Sequence, residues 1–263
     1  MDFKIKDKVA LVTASTRGLG RGCAEQLSAE GCKVAICSRN QAQAVQAAAE
    51  ISGRTGFEVV GFEADMSSPE EISGLVESVQ ADLGDPDILV TNAGGPAPGT
   101  FATTPLDQYE KGINLNLMSA VRLIHAVVPA MQKKGWGRII AITSTSVKQP
   151  IDTLLLSNTA RAGLTGFLKT VSTELASDGI TVNSILPGTH KTDRIIQLSE
   201  HRSKEENRPA EEVIQEIMAA NPTRTIGDPG DFGAMAAFLA SDQAKYITGQ
   251  AILIDGGRFP GLM

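Results

Sequence analysis

The segment Lys8-Val-Ala-Leu-Val-Thr-Ala-Ser-Thr-Arg-Gly-Leu-Gly20 constrains this chain more than any other. Val9 to Val12 is a short apolar run that reads as a buried strand, glycines follow at 18 and 20, and Cys23, Ala24 and Leu27 then recur at helical spacing. A strand feeding a helix through a tight turn aims backbone N–H groups and the positive end of the helix at one point, which suits a phosphate. Glycine is needed where a side chain would block the approach of that phosphate to the backbone. The three-glycine fingerprint is incomplete, because Ala14 stands where its first glycine is expected. On this segment alone, a purely structural strand–turn–helix stays open.

The rest of the chain narrows the choice. Its 263 residues, 42% hydrophobic and 21% charged, fit one large α/β domain with a well-buried core. A net charge of −6 argues against general binding to nucleic acid or an anionic membrane, both of which need basic surfaces. No uninterrupted apolar run reaches the roughly eighteen residues of a membrane span. Met-Asp-Phe-Lys-Ile-Lys-Asp leads straight into the first strand without the pattern of a signal peptide, so a cytoplasmic location is expected. Cys23, Cys32 and Cys37 are odd in number and lack metal spacing; they read as reduced packing residues, and no metal site is expected.

Apolar strands alternate with helical stretches, which implies a parallel sheet covered on both faces. The strands are Val9–Val12, Lys33–Cys37, Val59–Phe62, Ile88–Val90, Arg138–Ile142, Thr181–Ile185 and Ala251–Ile254. Helices are expected over Gln41–Ser52, from Ser68-Pro69-Glu70-Glu71 onward, over Leu106–Lys133 and over Thr153–Ser177. Residues 189–224 form a charged excursion with an amphipathic piece at Ala210–Ala220. It leaves the carboxyl ends of the strands, where an open α/β sheet binds ligand, so it reads as a substrate lid or as a solvated helical insertion. Its basic residues Lys191, Arg194, Arg202, Lys204 and Arg208 alternate with glutamates, which favours a solvated face over a surface for an acidic partner.

Several strings stand in a recognisable order: Thr13-x4-Gly18-x-Gly20, Asp65, Asn92-Ala93-Gly94, Asn116-Leu117, Ser144, Pro187-Gly188-x3-Thr192, and Thr248-Gly249-Gln250 before Asp255-Gly256-Gly257. Together they resemble the short-chain dehydrogenase/reductase family, end to end, and within it the 3-oxoacyl-(acyl carrier protein) reductases. The resemblance implies one Rossmann-type domain with a doubly wound, seven-stranded parallel sheet in an α/β/α sandwich. It also implies assembly as a homotetramer or homodimer and hydride transfer between a nicotinamide and a small carbonyl or alcohol substrate. For the cofactor it points to Thr13, Ser15, Arg17, Gly18, Leu19 and Gly20, to Asp65 and Met66 at the adenine, to Asn92, Ala93 and Gly94 at the ribose, and to Pro187, Gly188 and Thr192 near the nicotinamide. An NAD site presents an acid after the second strand. Ser38 and Arg39 stand there instead, and with Arg17 they suit the 2′-phosphate of NADP.

The family's chemistry uses Asn, Ser and a Tyr-x3-Lys pair, and here the pattern departs. The thirteen-residue step from Ser144 lands on Ser157, and four residues on stands Arg161. Serine is a far weaker acid than a phenol and shorter, and an arginine stays charged and cannot relay a proton. Arg161 still has the donors to hold ribose hydroxyls. Tyr109 and Tyr246, the chain's two tyrosines, read as packing residues. Lys148, four residues past Ser144, is the nominated proton donor, expected to be partly desolvated; a surface charge is the other reading. His190 and Asp152 are further candidates at the same rim. Ser144 would bind the substrate oxygen or cap a turn, and Asn116 reads as retained architecture. Two functions therefore compete: an NADP(H)-dependent oxidoreductase with a rebuilt proton donor, and an inert cofactor-binding member acting as sensor or oligomer partner.

Overall fold

The computed structural model describes residues 2–262, without the side chains at 194, 197, 198, 201 and 205. β1 (Val9–Val12), β2 (Lys33–Ser38), β3 (Val59–Glu63), β4 (Ile88–Thr91), β5 (Gly137–Ile142), β6 (Ile180–Pro187) and β7 (Ala251–Ile254) form one sheet in the order β3-β2-β1-β4-β5-β6-β7. Every pairing is parallel. The chain winds outward from β1 to β3, then crosses to β4 on the other side of β1. That reversal leaves a crevice at the carboxyl ends of β1 and β4, where open parallel sheets take their ligands.

The strand sequences are apolar because both faces are covered. Side chains alternate across β1: Ala10 and Val12 join a core with Cys23, Leu27, Ile51 and Phe232, while Val9 and Leu11 join one with Ile72, Leu123, Ile124 and Leu164. The first core is roofed by α1 (Gly18–Ala29), α2 (Gln41–Thr55) and α9 (Pro229–Ala240); the second by α3 (Pro69–Asp82), α5 (Ser119–Lys134) and α6 (Leu155–Glu174). Local chemistry sets the helix starts. The Asn40 side chain accepts from Gln43 N at α2, and the Ser68 hydroxyl accepts from Glu71 N at α3, each satisfying an end-of-helix donor.

Three features depart from the sequence reading. The expected helix over 106–133 is continuous but carries a π-turn, Asn114–Met118, between α4 (Leu106–Ile113) and α5. By length and composition this helix suffices to cross a membrane, yet Leu123, Ile124, Val127 and Met131 are buried against the sheet. Second, α9 is absent from the sequence reading, although Asp228 capping Gly230 N at 2.7 Å and Pro229 in the first turn are start signals. Third, Tyr246 is 99% exposed and so is no packing residue, while Tyr109 is half-buried. The cysteines are buried as expected, and burial pushes all three thiols up to about 12. The excursion contains α7 (Asp193–Glu206) and α8 (Ala210–Ala219), tied by Arg202 and Arg208 to Glu206 and Glu216. These pairs set two of the excursion's arginines, Arg202 and Arg208, against carboxylates; the Arg194 side chain lies outside the described residues.

Candidate active site

The glycine loop follows β1. Ala14 and Gly18 both take left-handed backbone, φ 47° and 60°, so an alanine holds a conformation in which glycine is the strain-free residue. The Thr13 hydroxyl donates to the Asn92 carbonyl at 2.7 Å and accepts from Asn92 N at 2.8 Å, and Asn92 Nδ2 donates to the Ala14 carbonyl at 2.9 Å. These bonds stitch the ends of β1 and β4 together across the switch point. A Cβ on Gly20 would lie 2.8 Å from Asn92 Nδ2 and 2.9 Å from the Ala14 oxygen, so only glycine lets α1 start this close. Leu19 packs against the first core, and Ser15 is fully buried with its hydroxyl on the Val12 carbonyl at 2.6 Å. The Ser15 side chain therefore belongs to the loop's architecture.

Arg17 and Arg39 are exposed at the crevice, and no acid ends β2. The Ser38 hydroxyl donates to the Asn40 carbonyl at 2.9 Å. Asp65 Oδ1 accepts both the backbone N–H and the hydroxyl of Ser67 at 2.8 Å, and Met66 is buried beside it. The Ser67 N–H above all, with help from Arg39, holds the Asp65 carboxyl below the usual range. Across the crevice, Thr192 sits at the start of α7, its methyl 3.6 Å from where a Gly18 Cβ would lie, and Asp193 pairs with Arg17 at 3.5 Å. Pro187 ends β6, and Gly188 N donates to the Ile254 carbonyl at 2.9 Å. Next to Ala93, Gly94 faces open space, with nothing within 4 Å of where a Cβ would lie.

The reacting end lies past β5. Ser144 caps a short turn, Thr145–Val147, with its oxygen accepting from Ser146 N at 3.0 Å, which leaves its own proton to donate. Ser157 and Arg161 are both buried on one face of α6. Arg161 Nε donates to Ser157 Oγ at 3.2 Å and its Nη1 to the Ile142 carbonyl at 2.9 Å. A hydroxyl oxygen already held by a guanidinium is polarised, and its own proton is still available to a substrate oxygen. The π-turn buries Asn116, whose Nδ2 donates to the Gly94 carbonyl at 2.9 Å. Its Oδ1 is buried with no partner among the described residues, in a cavity of about 10 Å³ shared with Asn92, Ile142 and Arg161, the room one water needs.

Lys148 ends the Ser144 turn but is exposed, so the expected desolvation does not exist. Asp152 is likewise exposed. His190 is not at the rim: it is 4% exposed, packed on Phe232, and burial lowers its pKa. Sequence places it by neighbourhood alone, whereas the backbone bridge to Gly227 and the packing on Phe232 hold it inward. A concavity of about 710 Å³ along β3 is lined by Val45, Val60, Phe62 and Ala81 and by none of the candidate site residues.

A family model described as enoyl-(acyl carrier protein) reductase matches residues 13–258. The 3-oxoacyl-[acyl-carrier-protein] reductase of Escherichia coli is 36% identical over 259 residues, covering 98% of this chain and 99% of that protein. A D-beta-hydroxybutyrate dehydrogenase of Cupriavidus necator is 34% identical, covering 96% and 98%. The crystal structure of L-sorbose reductase from Gluconobacter frateurii, complexed with NADPH and L-sorbose, superposes with a TM-score of 0.96 at 32% identity over 100% of both chains. With matches of this extent on the sheet order and crevice described above, the chain belongs to the short-chain dehydrogenase/reductase family.

Proposed function

We propose that the protein is an NADP(H)-dependent oxidoreductase that interconverts a small carbonyl compound and its alcohol without the family's tyrosine and lysine. The observation that carries this is the pairing of an intact nucleotide cradle with a polarised serine. The N–H groups of the Gly18–Gly20 turn and the start of α1 suit a pyrophosphate, the bare Gly94 leaves room for a ribose, and Arg17 and Arg39 suit a 2′-phosphate. When bound, NADPH supplies the hydride. Asp65 would hold the adenine end and Thr192 the nicotinamide end; the NADPH in the L-sorbose reductase complex supports this choice of cofactor.

In this reading Ser144 and Ser157 each donate a hydrogen bond to the substrate oxygen, and Arg161 strengthens the second by donating to the Ser157 oxygen. Asn116 holds the Gly94 loop and presents its remaining oxygen to a buried water. Lys148 remains the nominated proton source, an N–H donor at the end of the exposed turn that Ser144 caps. Residues 1–263 act as one domain, with 189–224 as the lid, in a cytoplasmic homotetramer or homodimer. That the named relatives are reductases and dehydrogenases favours catalysis over the inert reading. A panel of ketones and alcohols assayed with NADPH and NADP+ tests this: reproducible turnover is expected, and none across the panel, with cofactor bound, leaves the sensor reading in its place.

A further inference from the structure

The two ends of the 189–224 excursion are fastened to each other. Gly227 N donates to the Thr189 carbonyl at 3.0 Å and Lys191 N donates to the Gly227 carbonyl at 2.8 Å, a single parallel bridge centred on His190. The His190 ring is 4% exposed and lies edge-on to Phe232 of α9, centroids 5.1 Å apart at 82°. It presses on Gly227, where an added Cβ would fall 2.7 Å from ring Cδ2, and its Nδ1 is 3.4 Å from the Gly188 carbonyl. One imidazole thus fills the space between the two backbone-bonded ends and α9. Beyond it, the first turn of α7 lies on the glycine loop through the Thr192–Gly18 contact and the Arg17–Asp193 pair.

The charges around this ring oppose one another. Asp228 and Asp231 at the start of α9 favour a protonated ring. Lys191 on its own strand and Arg258 of the C-terminal segment, whose Nη1 donates to Thr189 Oγ1 at 3.3 Å, carry charge of the other sign. Burial outweighs the two aspartates, so the imidazole is held below its ordinary value. An imidazolium in this slot is desolvated, and it regains water only if the fastening opens.

We propose that His190 is a pH-sensitive clasp: neutral, it keeps the lid shut on the glycine loop; protonated, it releases α7 and α8. The proposal rests on the reading of 189–224 as a lid. The sign follows from linkage. The ring binds its proton more readily when open, so closure is fully favoured above the ordinary histidine value of about 6.5 and weakens as pH falls toward the lowered closed-state value.

Amide hydrogen exchange on the full chain at about pH 7.5 and about pH 5, corrected for intrinsic rates, tests the clasp. Protection of α7 and α8 is expected to fall relative to that of β4 and β5 at the lower pH, the direction that a lowered closed-state pKa requires. In His190→Phe, which keeps an aromatic ring in the slot, and in His190→Gln that fall disappears. No fall in the wild-type protein, or an equal fall in either variant, overturns the clasp. NADPH added at the higher pH is expected to raise α7 protection; failure of that rise counts against the cofactor reading, while the pH comparison decides on His190.

Discussion

At the scale of single residues, the proposed function has the chain keep the groups that would hold a nucleotide and exchange those that would move a proton. Arg161 shows how the exchange is accommodated. Its guanidinium spans Ser157 Oγ and the Ile142 carbonyl, so it has become part of the wall at the end of β5. Arg161→Met removes two donors from buried acceptors and is expected to destabilise the fold by about 1–3 kcal/mol, read as a lowered Tm. Arg17 lies on the other side of the crevice, paired across exposed surface with Asp193. Arg17→Ala is expected to weaken NADPH binding about tenfold or more by calorimetry, the loss of a charge-assisted phosphate contact, and to leave NADH nearly unchanged. Equal losses for both nucleotides would remove Arg17 from the 2′-phosphate. The reading of Ser157 and Arg161 in the places of the family's tyrosine and lysine comes from the sequence alone, as residue identity at a counted step. The inward turn of His190 and the exposure of Lys148 are not, since both depend on where a loop faces.

At the scale of elements, the strands are readable to within a residue or two because runs such as Ile139–Ile142 are buried on both faces and say so in composition. Helix α9 escapes such reading because its apolar, alanine-rich sequence lacks a polar face, and its other side packs on α1 rather than on solvent. That packing is close. A Cβ on Gly22 would fall 2.0 Å from the Pro229 oxygen, and one on Gly233 would fall 2.1 Å from the Gly22 oxygen. Gly22→Ala is therefore expected to push α9 off α1 and cost about 1–3 kcal/mol, measured as a lower denaturant midpoint without a change of slope. Ser68→Ala, which removes the cap on α3, is expected to cost about 1 kcal/mol by the same measurement. The π-turn has a function in this frame: it sets Asn116 inward to reach the Gly94 carbonyl. Residue periodicity gives no sign of it, since one extra residue in a turn leaves the flanking helices amphipathic.

At the scale of the whole molecule, the strand order brings separate loops to one crevice, and each carries one part of the chemistry. In the proposed function the glycine loop and the β2 and β3 ends would take the nucleotide's phosphates and adenine, the β4 and β5 ends the ribose and the substrate oxygen, and the β6 end would bring the proposed lid. This division is legible from the alternation of strands and helices, because a parallel sheet with one reversal has one place where its carboxyl ends diverge. The source of the proton is not legible, because the residues at the counted step, Ser157 and Arg161, do not name a proton donor by their identity. The central claim is that a serine-and-arginine wall, with a lysine beside Ser144, replaces the missing phenol. Steady-state NADPH oxidation on the best ketone of a panel, with NADPH binding measured in parallel for the wild type and Lys148→Ala, tests it most directly. Loss of turnover in Lys148→Ala with NADPH affinity nearly unchanged is the predicted result; undiminished turnover in that variant would contradict it.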